Sequence, residues 1–294
     1  MPIRLGVCSW SLQPESADQL GALVREAGVG AVQLALDPLR TRTMAPVAVA
    51  TALTRVGARI LSGMVTMTGE NYTTLESIRA TGGLMGDEDW LTNLRAAEAN
   101  ARLAADLGLP LVTFHAGFIP ADRGDPSRAL LLDRMRRIVA PFLGRKVRVG
   151  LETGQEDADT IIGFLMDLDR DGVGVNYDPA NLLLYGNGDP VEALDLLADF
   201  VMQIHIKDAL PAATPGGWGQ EVTVGAGAVD WGALFDVVRT RALEVDLLIE
   251  REAGATRMAD IKAAVALVRA YGMEAFSPTV SADRAGHVVP AAHR

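Results

Sequence analysis

The sequence predicts an α/β fold, a (β/α)8 TIM barrel, and three observations carry that expectation. Short apolar strands alternate with amphipathic helical stretches, and the alternation repeats eight times. Strict βα order argues for a parallel sheet, and eight units argue for its closure. The chain has 294 residues, 49% of them apolar, and α/β barrels of about 250 residues run as single domains. Strands five, six and eight each end on a carboxylate, and strand seven carries His205 near its end, all with parity opposing that of their apolar side chains. The competing open doubly wound sheet carries a Gly-rich phosphate turn after its first strand; here that turn reads CSWSLQP.

Strand one spans Arg4–Ser9, and Ser16–Ala27 reads as a helix with a Ser cap and Gly28 at its end. Strand two is Ala31–Leu36. The next helix opens at Pro46, acceptable in a first turn, and closes near Gly57. Strand three is Arg59–Met67. Residues 68–89 form an insertion with a short helix at Thr73–Arg79, either a surface excursion or a lid. Helix Trp90–Leu107 leads into strand four, Leu111–His115, and helix Pro126–Leu143 follows. Strand five is Val147–Glu152 with helix Ala158–Leu168; strand six is Val173–Asp178 with helix Pro190–Phe200. Strand seven, Val201–Asp208, reads VMQIHIKD. Met202, Ile204 and Ile206 alternate there with Gln203, His205 and Lys207. A second long loop, 209–230, is also a lid candidate. Helix Trp231–Leu243, strand eight Asp246–Glu250 and helix Arg257–Tyr271 complete the pattern. The expected organisation is one barrel domain, residues 1–272, and a C-terminal tail, residues 273–294.

The formal net charge of −10 argues against a nucleic-acid partner, because neutralising phosphates needs clustered Lys and Arg. Cys8 is the only cysteine, so no intrachain disulfide forms, which fits a reducing compartment. The first ten residues lack the basic-then-apolar pattern of a signal peptide. No stretch reaches the roughly 18 consecutive apolar residues of a membrane span. The expectation is a cytoplasmic protein with no membrane association.

In such barrels the active site lies at the C-terminal strand ends. Strand five ends at Glu152, with Val147, Val149 and Leu151 on the opposite face. Strand six ends at Asp178, opposite Val173, Val175 and Tyr177; strand eight ends at Glu250, opposite Leu247 and Ile249. His205 opposes the apolar face of strand seven. If the apolar faces pack under helices, these four polar side chains share one mouth. Converging carboxylates repel one another and take up either protons or a cation. Three oxygen ligands and one imidazole nitrogen suit a divalent metal ion, with Mn2+, Co2+ or Mg2+ favoured over zinc. The alternative is a set of separate surface acids and a core histidine.

The motifs LETG, DPAN, HIKD, Gly225–Trp231 (GAGAVDW) and IERE, on alternating barrel units, resemble the xylose isomerase-like barrels. That group includes ketose 3-epimerases, inosose isomerases and dehydratases, hydroxypyruvate isomerase and endonuclease IV. The resemblance covers about residues 3–272. It implies that Glu152, Asp178, His205 and Glu250 are the metal ligands. It also implies that Glu152 and Glu250 are the catalytic acid/base pair. The implied activity is a metal-dependent sugar isomerase or epimerase, acting on a ketose or keto-polyol through a metal-stabilised cis-enediolate. An inosose-type dehydratase uses the same site, and a non-catalytic metal-binding barrel is a further alternative. Many relatives are dimers or tetramers, so a homo-oligomer is expected.

The chain departs from the ketose 3-epimerases at three places. Asn181 replaces a histidine three residues after the strand-six Asp, Lys207 and Asp208 replace an Arg after the strand-seven His, and Ala226 interrupts a GEG stretch. Lys207 shares the parity of His205, so it is expected in the mouth, binding a hydroxyl, carboxylate or phosphate of substrate; the alternative is a rim lysine. An endonuclease IV-like repair nuclease needs more histidines than the four present, His115, His205, His287 and His293. Further substrate-binding candidates are His115, Asn181, Trp10 and Glu156, with Trp218 as a lid residue. Glu156 otherwise reads as a first-turn helix acid. Glu252 is expected past the strand end, in solvent.

Overall fold

In the computed structural model, which describes residues 2–275 apart from Pro215, eight strands form a closed parallel barrel. They are β1 (Leu5–Cys8), β2 (Ala31–Ala35), β3 (Arg59–Met64), β4 (Leu111–Phe114), β5 (Arg148–Glu152), β6 (Val173–Tyr177), β7 (Val201–Ile206) and β10 (Asp246–Ile249). The order around the barrel is β1-β10-β7-β6-β5-β4-β3-β2, so each strand lies beside that of the next unit. The intervening β8 (Asp208–Leu210) and β9 (Gln220–Val222) form a separate antiparallel hairpin. It occupies the second long loop, where the sequence reading had no strands.

Eight helices clothe the barrel: α1 (Ala17–Ala27), α3 (Pro46–Arg55), α5 (Trp90–Asp106), α6 (Pro126–Leu143), α7 (Ala158–Leu168), α9 (Pro190–Leu197), α10 (Trp231–Thr240) and α11 (Arg257–Ala270). Their starts follow local chemistry. The Ser16 side chain accepts from the Gln19 N–H to open α1, and Gly28 closes it at φ 75°. Asp157 and Asp189 cap α7 and α9 in the same way. Three short helices stand at strand ends or in the insertion: α2 (Asp37–Arg40), α4 (Leu75–Thr81) and α8 (Pro179–Tyr185). The sequence reading found α4, shifted by two residues, and missed the other two. Each has too few residues to display a helical period.

The side-chain parities fall as expected. Val149, Leu151, Val175, Tyr177, Ile204, Ile206, Leu247 and Ile249 join one large apolar core between barrel and helices. Cys8, Ala31, Leu61 and Leu248 form a second, small apolar cluster. Beside it lie Gln33, Thr113, Asn176 and Gln203, all fully or almost fully buried and hydrogen-bonded to one another or to neighbours. Met273 is also fully buried in the main core. It opens a short 3-10 turn at Met273–Ala275. The rest of the predicted tail, 276–294, lies outside the described residues. Among the described residues no helix is long and apolar enough to cross a membrane.

Candidate metal centre and active-site mouth

Glu152 at the end of β5, Asp178 just after β6, His205 on β7 and Glu250 just after β10 meet at the C-terminal end of the barrel. One ligand atom from each lies within 4.8 Å of all the others. The His205 Nδ1 atom stands 3.5 Å from Glu152 Oε1, 3.7 Å from Asp178 Oδ2 and 3.3 Å from Glu250 Oε2. All four side chains are buried.

Each ligand is aimed by a neighbour. His205 Nε2 lies 2.7 Å from Gln33 Oε1, and the Gln33 amide nitrogen donates to Thr113 Oγ1 at 2.7 Å. That orients the Gln33 oxygen toward His205, so the Nε2–H donates to Gln33 and Nδ1 is turned toward the three carboxylates. Asp178 divides its carboxylate. Its Oδ1 accepts from the Ala180 and Asn181 N–H groups and caps α8, while Oδ2 has no hydrogen-bond partner. Glu152 accepts from Asn181 Nδ2 at 3.1 Å and from Asn176 Nδ2 at 3.3 Å. Glu250 accepts from the Trp10 indole N–H at 2.8 Å and from Lys207 Nζ at 2.9 Å.

Charge is finely opposed here. Burial raises the Glu250 carboxyl, but Lys207 and His205 outweigh it and hold that group well below the usual range. Burial likewise opposes ionisation of Glu152, and His115 with His205 brings it below its ordinary value. Asp178 stays raised, because burial exceeds the help from Lys207 and His205. Burial works against a charged His205, yet Glu250 and Glu152 lift it well above its ordinary value. Two buried polar atoms, His205 Nδ1 and Asp178 Oδ2, lack hydrogen-bond partners and face each other. A buried pair of that kind is costly unless something bridges it. The donor set of three carboxylates and one imidazole fits a divalent cation, which would take the place of the Nδ1 proton.

Above the cluster opens a cavity of about 600 Å3. Trp10, His115, Asn181, Lys207 and Glu250, all named from sequence, line it. A larger groove of about 720 Å3 lies between α3 and α5, but no set of titratable groups converges there. His115 Nε2 sits 3.7 Å from Glu152 Oε1, and Tyr72 from the 68–89 insertion covers it at 6.2 Å between ring centroids. The insertion is tied down by Glu70, which accepts from the Gly83 N–H, and by Asn93, which binds Thr68. It forms a wall of the mouth. Trp218 of the hairpin forms another wall against Tyr185 of α8.

Glu252 lies past the strand end with its side chain 54% exposed, as expected, and it also reaches the rim of the mouth: Lys207 donates to it at 2.6 Å, and Glu221 clamps the turn after β10 through the Glu252 and Ala253 N–H groups. Two expectations need correction. Lys207 therefore does not offer a free ammonium to an anion; it bridges Glu250 and Glu252. Glu156 lies outside the cavity wall. Its carboxyl accepts from the Ile119 N–H at 2.7 Å and joins the loops after β4 and β5.

Burial pushes Glu156 up to about 8, the Ile119 hydrogen bond notwithstanding. The unfolded chain titrates near the ordinary 4.5. Between those values the unfolded state has lost a proton that the native state keeps, so stability falls as pH rises through that window. The full effect is on the order of 4–5 kcal/mol. Glu156→Gln is expected to remove that slope while keeping the Ile119 bond, as read by urea melts at pH 5, 6.5 and 8. Parallel pH profiles for variant and wild type would refute it.

Sequence reasoning missed Asp208 as a structural hub. Its buried carboxylate accepts from the N–H groups of Ala209, Gly225, Gly227 and Val229 and from the Trp231 indole. A Cβ on Gly227 would stand 2.0 Å from Asp208 Oδ1, so the GAGAVDW segment is shaped to wrap a carboxylate. The juxtaposition of HIKD and GAGAVDW was the available signal, but their contact was not in the pattern.

The family profile for xylose isomerase-like TIM barrels matches residues 14–271. No curated protein sequence matches the chain. Among solved structures, a xylose isomerase domain protein from Planctomyces limnophilus is 30% identical, with a TM-score of 0.78 over 86% of this chain and 91% of that one. The probable 3-DHS dehydratase involved in petrobactin synthesis from Bacillus anthracis is 18% identical, with a TM-score of 0.70 over 92% and 99%. The 3-keto-D-glucoside 4-epimerase of E. coli is 16% identical, with a TM-score of 0.68 over 91% and 99%. At that distance the last two establish shared fold. With its profile match spanning nearly the whole barrel, the chain belongs to the xylose isomerase-like TIM barrel family.

Proposed function

We propose that the protein is a divalent-metal-dependent sugar isomerase or epimerase acting on a ketose or keto-polyol. The observation that carries this reading is the buried His205 Nδ1 facing Asp178 Oδ2 between two glutamates, both atoms without a hydrogen-bond partner. Glu152, Asp178, His205 and Glu250 would hold the cation. When bound, it supplies Lewis-acid polarisation of a substrate carbonyl.

The chain's own residues then move the proton. Glu152 and Glu250 stand on β5 and after β10, with β6 and β7 between them. They therefore address a substrate from different sides. One carboxylate takes the proton from the carbon beside the carbonyl. The other returns a proton to the opposite face, giving an epimer, or to the neighbouring carbon, giving an isomer. Lys207 and Trp10 hold Glu250 ionised and oriented, and Asn181 does the same for Glu152. His115 and Asn181 contribute hydrogen-bonding groups to the substrate cavity.

The test is a panel of ketoses and inososes incubated in deuterated water with metal-stripped protein, then with Mn2+, Co2+ or Mg2+. Deuterium is expected in recovered sugar only with metal present. Loss of water, seen as a mass change, assigns a dehydratase instead. Metal at about 100 times its Kd is expected to add about 2.7 kcal/mol of stability. Full activity and an unchanged melt after exhaustive chelation would overturn the proposal.

A further inference from the structure

The cavity continues outward past the carboxylate cluster to a wall that the proton chemistry does not use. Trp218 sits near the end of the β8–β9 hairpin and packs on Tyr185 of α8 at 5.9 Å between centroids. Tyr185 in turn meets Phe118, from the loop after β4, edge-on at 5.8 Å. Two loops and the end of helix α8 thus brace one aromatic surface, and both Trp218 and Tyr185 line the cavity. The neighbouring Gly219 fixes the hairpin against α8. Its N–H donates to Leu184 O at 2.9 Å, and a Cβ there would lie 2.9 Å from Leu184 Cα. The ring of Trp218 is held in place before any ligand arrives.

Size and charge narrow what this surface receives. A volume of about 600 Å3 equals about 20 waters at about 30 Å3 each, more than a single hexose of about a dozen heavy atoms fills. Lys207 is the one lysine or arginine among the described residues lining the mouth, and two carboxylates already hold it at 2.6 and 2.9 Å. Asp37, Glu221 and Glu252 line the same space, with Asp37 paired to Arg40, Glu221 to Arg251 and Glu252 to Lys207. Such a wall offers hydroxyl acceptors and leaves phosphate no free cation to pair with. Aromatic faces carry negative quadrupole density and favour the C–H face of a sugar ring.

We propose that the outer mouth is a subsite for a second, uncharged sugar ring stacked on Trp218 and Tyr185, so that the substrate is a ketose bearing a glycosyl substituent. This rests on the isomerase reading of the inner site. Three ligands with one ketose head test it: fructose, fructose 6-phosphate and isomaltulose, which carries a glucosyl group on O6 of fructose. Calorimetry on the metal-loaded protein is expected to show isomaltulose bound about tenfold tighter than fructose, and the phosphate no tighter than fructose. Trp218→Ala is expected to remove the isomaltulose preference and leave fructose affinity unchanged, with Trp218→Phe restoring it. Equal binding of isomaltulose and fructose, tighter binding of the phosphate, or equal weakening of all ligands by Trp218→Ala would overturn the subsite. Deuterium exchange into fructose in the same samples would leave the isomerase reading standing in that case. Absence of exchange in all three sugars would count against that reading, and the subsite would fall with it.

Discussion

Glu250→Gln is expected to slow metal-dependent proton exchange by roughly 10²–10⁴-fold, the range lost with a general acid or base. The side chains are nearly isosteric, so the barrel folds. Both carboxylate oxygens of Glu250 are acceptors, one from the Trp10 indole and one from Lys207. An amide must turn its NH2 group toward one of those donors, and it brings no charge to the cluster. The variant is therefore also expected to bind metal more weakly, by about 10–100-fold at least, since even outer partners of a metal site commonly matter that much. Metal stoichiometry after dialysis and exchange rate at saturating metal separate the two losses. If Glu250→Gln keeps wild-type metal content, stability and turnover together, the assignment of the centre is wrong. Glu152→Gln provides the counterpart. Its oxygens accept from Asn181 and Asn176, so a deficit restricted to one epimer of a substrate pair would tell which carboxylate serves which face.

Asp208→Ala is expected to destabilise the fold by about 3–5 kcal/mol. The side chain is fully buried, and five donors converge on it. Truncation leaves those donors unpaired within a loop built around them. At roughly 2–4 °C per kcal/mol for a domain of this size, the melting temperature falls by about 10 °C. Asp208→Asn keeps one acceptor oxygen and is expected to lose about half as much. The Trp231 indole N–H bonds Asp208 at 3.0 Å, so its emission should shift to longer wavelength in the alanine variant. A melt within 1–2 °C of wild type, on the order of experimental scatter and well short of the predicted fall, would remove Asp208 from its structural role.

Much of the inner site was legible because strand parity is a local property. Val149 and Leu151 against Glu152, and Ile204 and Ile206 against His205, state which face is covered and which is polar. Closure then sends every polar face to one axis. Trp10 and His115 came from the strand ends and Asn181 from the family resemblance, and all three line the cavity. Glu156 was misplaced for a physical reason. It lies beyond its strand, where the alternation stops, and it goes where a loop hydrogen bond takes it, accepting from the Ile119 N–H away from the mouth. The contact of the half-exposed Glu252 with Lys207 was hidden for the same reason, since Glu221 sets that turn. The aromatic wall of Phe118, Tyr185 and Trp218 was similarly hidden, because its members come from two loops and the end of a short helix with no shared period.

The sequence by itself determined the barrel and which four side chains point to its mouth, since alternation and unit count are written into neighbouring residues. Only the tertiary structure decided what those side chains touch. Lys207 is spent on Glu250 and Glu252, Gln33 holds the His205 proton, and Asp178 splits its oxygens between a helix cap and the cluster. Those pairings join residues as many as 172 positions apart, and they arise when the barrel closes and brings strand ends within hydrogen-bond reach. No local pattern encodes them.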